Sequence, residues 1–161
     1  MEFEQRLERA IERGKRASDA RARADAERAM TEAELRRLHT QFRLELSEHI
    51  ENCLRKLTQH LPGFRVESVA SDRGWGAAVS RDDVNLGPDR ARGSHFSRFE
   101  LVIPPLAGSR VLELTAKGTV RNREVLNRNH YEKLADVDID SFTSLIDRWI
   151  LEYAERYTAS R

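Results

Sequence analysis

The pattern of apolar and polar positions divides the chain into a helical first part and a strand-rich second part. Residues 2 to 61 contain no proline and are dominated by Ala, Arg, Glu and Leu, which favour helices. Within residues 35 to 61 the apolar side chains recur at three- and four-residue steps, which predicts a helix with one face to bury. That stripe consists of Leu35, Leu38, Phe42, Leu46, Ile50, Cys53, Leu54, Leu57 and Leu61.

Residues 12 to 30 lack such a stripe, because their only apolar side chains are alanines and Met30. Two interpretations stay open for the N-terminal helix: a solvated helix, or an oligomeric coiled coil. Gly14 and Arg21 would interrupt the seam of a coiled coil, and alanine buries little apolar area. The seam would consist of Phe3, Leu7, Ala10, Ala17 and Ala24.

A possible helix start lies at Thr31, where Glu34 follows three residues later in the pattern of a capping box. The pattern fits a second helix that begins after a break near Met30, and it also fits one continuous helix. We accordingly predict two parts: a charged, Ala/Arg-rich helical extension over residues 1–30, and a single α+β domain over residues 31–161.

The apolar period changes from helical to alternating after Pro62 and Gly63, which end the helix. The short links between the apolar segments favour antiparallel pairing of successive strands. A long polar loop is predicted over residues 81–95. The predicted strands lie within residues 64–70, 75–80, 96–103, 110–118 and 120–131.

The last element is an amphipathic helix that begins after Asp138, a residue type that caps helix N-termini. Its apolar stripe consists of Phe142, Leu145, Ile146, Trp149, Ile150, Tyr153 and Tyr157. Such a stripe needs a sheet or a second helix to cover it. The predicted fold class is therefore α+β: a long N-terminal helix, a four- to five-stranded antiparallel meander and a C-terminal helix packed on the sheet.

Composition and charge narrow the classes of protein to be considered. Charged residues make up 34% of the chain, yet the formal net charge is only +1. A balance of this kind argues against a dedicated nucleic-acid or membrane protein. The first ten residues lack the apolar core of a signal peptide, and no apolar run is long enough to span a membrane. We therefore expect a cytoplasmic protein.

No motif for catalysis, cofactor binding or metal binding stands out in the sequence. His49 and His60 would lie about 16 Å apart along one helix, too far for one metal ion to bridge. Cys53 is the only cysteine, which argues against a cysteine-based zinc site, and its place on the apolar stripe predicts a buried thiol. We therefore predict no catalytic residue, no cofactor and no metal, and we lean away from an enzyme. An enzyme or small-molecule binder whose site is assembled from residues distant in sequence stays open as a third interpretation.

The most suggestive group of side chains is basic and is interleaved with asparagines. If the long loop and the last strands converge, these side chains would form an anion-binding surface suited to nucleic-acid phosphates. In the alternative interpretation they lie on a solvated sheet face and pair with neighbouring carboxylates. The group consists of Arg90, Arg92, Arg98, Arg121, Arg123, Arg128 and His130.

The sequence thus favours a non-catalytic protein-interaction or assembly module that self-associates through its helices. The alternative is a nucleic-acid-binding module that uses the arginine-rich loop and sheet surface. The partners expected from the first hypothesis are a second copy of the chain or another protein, with nucleic acid expected only from the second. Neither hypothesis involves a membrane.

Overall fold

The structure is a computed structural model, and it describes residues 2–28, 31–84 and 94–160. The chain divides into two compact units, Met1–Leu35 and Arg36–Arg161. The first unit is helical, whereas the second contains a sheet and the helices that pack on it. None of the helices in these described ranges is both long enough and apolar enough to cross a membrane.

Two helices occupy the N-terminal region, α1 (Phe3–Arg28) and α2 (Glu32–His60). Thr31 caps the start of α2, because its hydroxyl accepts a hydrogen bond of 3.2 Å from the backbone N–H of Glu34. This contact satisfies one of the N–H groups that the first turn of a helix leaves without a partner. The interpretation with two helices in this region is confirmed.

Five antiparallel strands form a meander in which each strand pairs with the next along the chain. The α+β fold and the antiparallel meander predicted from the sequence are therefore confirmed. The strands are β1 (Arg65–Ser71), β2 (Gly74–Val84), β3 (Ser94–Ile103), β4 (Val111–Val120) and β5 (Arg123–Lys133).

The predicted loop over residues 81–95 was too long, because β2 and β3 extend into it from both sides. The strand character of β2 is hidden in the sequence by its polar end. Arg81 and Asp83 lie on the same face of the strand and form an ion pair of 2.7 Å. Arg81 also donates a hydrogen bond of 2.6 Å to the Pro62 carbonyl. The middle of the predicted loop, including Arg90 and Arg92, lies outside the described residues.

The C-terminal helix, α3 (Ile139–Ala159), begins as predicted: the Asp138 side chain accepts a hydrogen bond of 3.1 Å from the Asp140 N–H. It packs against β4 and β5. The Tyr153 ring stacks on Phe99 with ring centroids 4.6 Å apart, and its hydroxyl donates a 2.7 Å hydrogen bond to the Thr119 carbonyl. The predicted stripe of α3 is confirmed by its buried members, which are Phe142, Ile146, Trp149, Ile150, Tyr153 and Tyr157.

The part of α2 within the second unit lies on the same face of the sheet as α3. The Arg43 guanidinium sits over the Trp75 ring of β2, 4.1 Å from its centroid. Farther along α2, the Glu51 carboxylate accepts a hydrogen bond from the Ser68 hydroxyl of β1. The residues of α2 that this packing buries completely are Leu46, Ile50 and Leu54.

Candidate functional site

The first candidate site is an apolar stripe on α1, formed by Phe3, Leu7 and Ile11. These side chains are 73%, 46% and 51% exposed. Since successive helical residues are about 100° apart, four-residue steps keep all three within roughly 80° of the helix circumference. They form one surface, which we call the α1 stripe.

The α1 stripe lies on a helix whose described side chains are largely exposed. Every side chain from Glu2 to Arg23 is exposed. Glu12 and Arg16 form an ion pair of 3.9 Å, and both side chains are well exposed, so the pair contributes only a few tenths of a kcal/mol. The coiled-coil interpretation stays a prediction. The α1 stripe, which includes Ile11, offers a larger apolar surface for it than the predicted seam alanines Ala10, Ala17 and Ala24 do.

The predicted basic group is divided between the two faces of the sheet. Arg98 lies on the face opposite the helices and pairs with Glu67. Arg128 and His130 lie on the helix-covered face. The predicted set therefore does not form one surface in the described part of the chain.

The two members on the helix-covered face have acidic partners. Arg128 pairs with Glu152 of α3 at 2.8 Å. His130 bonds to Glu132 at 2.8 Å. Two further hydrogen bonds, from the Asp138 N–H and the Ser141 hydroxyl, bind the Glu132 carboxylate to the start of α3. Burial alone would raise the pKa of Glu132, but these hydrogen bonds outweigh it, so the pKa is lowered. These side chains act in packing β5 against α3.

Arg121 and Arg123 lie together at the turn between β4 and β5. Arg121 and Asn122 adopt positive φ angles of 49° and 69°, as a tight hairpin turn of type I′ requires. The Asn122 side chain holds the start of β3 through hydrogen bonds to the Phe96 N–H and the Ser94 carbonyl. This asparagine is therefore occupied within the fold.

A groove of about 490 Å³ begins at this turn and continues along the last turns of α3. Three arginines line it: Arg121, Arg123 and Arg156. Arg156 pairs weakly with Glu152, at 3.7 Å. In the described part of the chain, Arg121 and Arg123 take part in no ion pair. We call this set the arginine groove, and its net charge is positive.

A third cluster joins α2 to α3 and was missed by the sequence interpretation. Nε2 of His49 lies 2.8 Å from Oδ1 of Asp147 and 3.6 Å from Sγ of Cys53. The thiol is also 3.6 Å from the same Asp147 oxygen. Burial raises the pKa of the Cys53 thiol, and the charge and hydrogen bond of Asp147 raise it further.

The four-residue step from His49 to Cys53 was a visible signal, since it places both side chains on one face of α2. Comparison with known proteins adds no assignment to any of the three candidate sites. No protein-family model, curated protein or solved structure matches this chain.

Proposed function

We propose that this chain is an assembly module that self-associates through the α1 stripe. The observation that carries the proposal is the exposure of Phe3, Leu7 and Ile11 on one side of one helix. Exposed apolar side chains are common singly, whereas a contiguous set marks a surface that another molecule covers. Burying each of them fully would contribute roughly 1.5–3 kcal/mol.

The exposure of its apolar face in the single chain also supports a partner for α1. Most of the stability of a protein helix comes from packing of its apolar face rather than from helix propensity. All three members of the α1 stripe are exposed in the single chain, so covering them would supply that packing.

The charges of α1 allow it to pair with the same helix of a second copy of the chain. Residues 3–28 contain eight basic and six acidic side chains, so no strong field of one sign opposes the pairing of two copies. The interruption at Gly14 confines the tight contact to the first three turns, which favours a reversible association.

The test replaces Phe3, Leu7 and Ile11 with serine in the full chain. Size-exclusion chromatography with light scattering, over a range of protein concentrations, gives the mass of each variant. We expect the native chain to form at least a dimer and the triple variant to run as a monomer, because most of the buried apolar area is lost. A native chain that stays monomeric at every concentration would contradict the proposal.

A matched control keeps the α1 stripe and changes the opposite side of the same helix. Gln5→Ser, Glu12→Ser and Arg16→Ser replace three side chains without changing the net charge. We expect this variant to keep the native mass. Equal loss of mass in both variants would instead indicate a general loss of helix, which circular dichroism would detect.

The arginine groove supports a second candidate function, the binding of nucleic-acid phosphates. The observation in its favour is the pair of arginines, Arg121 and Arg123, that take part in no ion pair in the described ranges. Guanidinium groups stay positively charged at neutral pH and form bidentate hydrogen bonds to phosphate oxygens. This function requires no self-association, so the two candidates are separable.

Its test measures the anisotropy of a labelled single-stranded oligonucleotide at several salt concentrations. Arg121→Ala with Arg123→Ala should weaken binding and lower the magnitude of the slope of log affinity against log salt by about 1.4, roughly 0.7 for each phosphate contact on a single strand. The control is Arg55→Ala with Arg148→Ala, which removes the same charge from the exposed sides of α2 and α3. An equal effect of both double variants would contradict a role for the arginine groove.

A further inference from the structure

We propose that His49, Cys53 and Asp147 form a binding site for one zinc-type divalent transition-metal ion. The three side chains come from two helices of the second unit. Each offers one ligand atom, and these atoms all lie within 4.8 Å of one another. Imidazole nitrogen, thiolate sulfur and carboxylate oxygen are the three donor types found in protein zinc sites.

The spacing of the donor atoms matches the geometry of a tetrahedral site. With metal–ligand bonds of about 2.0 Å for nitrogen and oxygen and 2.3 Å for sulfur, sulfur should lie about 3.5 Å from each of the other two donors. The thiol of Cys53 is 3.6 Å from both. The 2.8 Å between His49 and Asp147 would widen to about 3.3 Å, a movement of roughly half an ångström.

The arrangement does not suit the other common use of these residue types, an activated cysteine nucleophile. Such a relay needs the thiol at one ring nitrogen and the carboxylate at the other. Here Cys53 and Asp147 both approach Nε2 of His49. Donors converging on a common point are the pattern of a metal site.

The donor set and its exposure indicate which ions would bind. A thiolate and an imidazole favour zinc and its neighbours over magnesium and calcium, which prefer oxygen ligands. The side chains of His49 and Asp147 are 33% and 54% exposed. An ion held by the three residues would therefore keep its fourth position open to water, as sites with three protein ligands do.

Titration of the reduced full chain with cobalt(II) tests the site directly. Cobalt bound to a thiolate gives a charge-transfer absorption in the near ultraviolet, and Cys53 is the only cysteine that can produce it. We expect this band to saturate at one cobalt per chain and to disappear when zinc displaces the cobalt. Absence of the band, or saturation at one cobalt per two chains, would overturn the single-chain site.

Three variants assign the ligands: Cys53→Ser, His49→Gln and Asp147→Asn. Each should weaken cobalt and zinc binding at least about tenfold, and Cys53→Ser should abolish the band. Asp147→Asn keeps the shape of an exposed side chain, so it tests the site even if a change at Cys53 disturbs folding. The control is His60→Gln, which changes an exposed histidine on the same helix and should bind like the native chain. Native-like affinity in folded Cys53→Ser or Asp147→Asn would overturn the proposal.

Discussion

His39 is held in the core by its neighbours and leaves one ring nitrogen without a partner. The side chain is only 4% exposed, and its Nε2 has no hydrogen-bond partner among the described residues. Burial lowers the pKa of His39 from its ordinary value of 6.5. A hydrogen bond to the Pro104 carbonyl opposes this shift, and the nearby charge of Arg43 adds to it. The folded protein therefore keeps this histidine neutral at a pH where the unfolded chain protonates it.

The sign of the resulting pH dependence follows from proton linkage. Between the lowered pKa and 6.5 the unfolded state binds a proton that the folded state does not, so stability is full above 6.5 and falls as the pH decreases below it. His39→Leu should remove the part of this decrease in unfolding free energy that His39 causes, which is at most about 1.4 kcal/mol per pH unit. Urea unfolding from about pH 8 to about pH 5 measures it.

The control for this prediction is His60→Leu, which replaces an exposed histidine on the same helix. We expect its unfolding free energy to follow the native pH profile. The comparison is between slopes, so any constant loss of stability from the lost Pro104 hydrogen bond does not affect it. Parallel profiles for the native chain and His39→Leu would show that His39 binds its proton equally in the folded and unfolded states, which would contradict the prediction.

At the scale of elements, α3 could be predicted from the sequence because the signals for its start and its buried face agree. Asp138 caps the helix and six members of the predicted stripe are buried. Strand β4 was equally visible, since Leu112, Leu114 and Ala116 alternate with more exposed residues. Both elements bury one face against the same core, so their apolar residues recur in the sequence with the period of a helix and of a strand.

Strand β5 was harder to place because it is an edge strand with few large apolar residues. Its only fully buried side chain is Leu126. On the helix-covered face it carries Arg128, His130 and Glu132, which pair with charged groups instead of packing as apolar side chains. Their basic character made Arg128 and His130 resemble part of an anion-binding surface in the sequence, where Glu152 of α3 could not be recognised as the partner of Arg128.

The cluster of His49, Cys53 and Asp147 shows where sequence interpretation stops. The first two residues share a helix face, but Asp147 lies 94 residues after Cys53. It reaches the thiol because α2 and α3 lie side by side on the sheet in one particular register. No local pattern encodes that register, because it depends on how two apolar faces fit the same sheet.

At the scale of the whole molecule, the chain separates a helical unit from a unit with its own core. The second unit contains the sheet, α3 and most of α2. Its core is completed by aromatic contacts such as Phe64 against Tyr157, with ring centroids 4.8 Å apart. A unit with this much internal packing should fold without α1.

We therefore predict that residues 31–161 fold alone and no longer self-associate. The cut is placed before Thr31 so that the hydroxyl of this residue still caps α2. The near-ultraviolet circular dichroism of Trp75 and Trp149 should match the full chain, and the melting temperature should stay within a few degrees. Light scattering should give a monomer at concentrations where the full chain is an oligomer.

A shorter version, residues 36–161, also removes the first turn of α2 with its cap Thr31 and the buried Leu35. It lacks Thr31 and should be less stable than residues 31–161 by about 1 kcal/mol or more, because the first turn of α2 is lost with its cap. Both versions should be monomers if the α1 stripe drives assembly. If residues 31–161 formed an oligomer with the same number of copies as the full-length chain, the contact would lie outside α1.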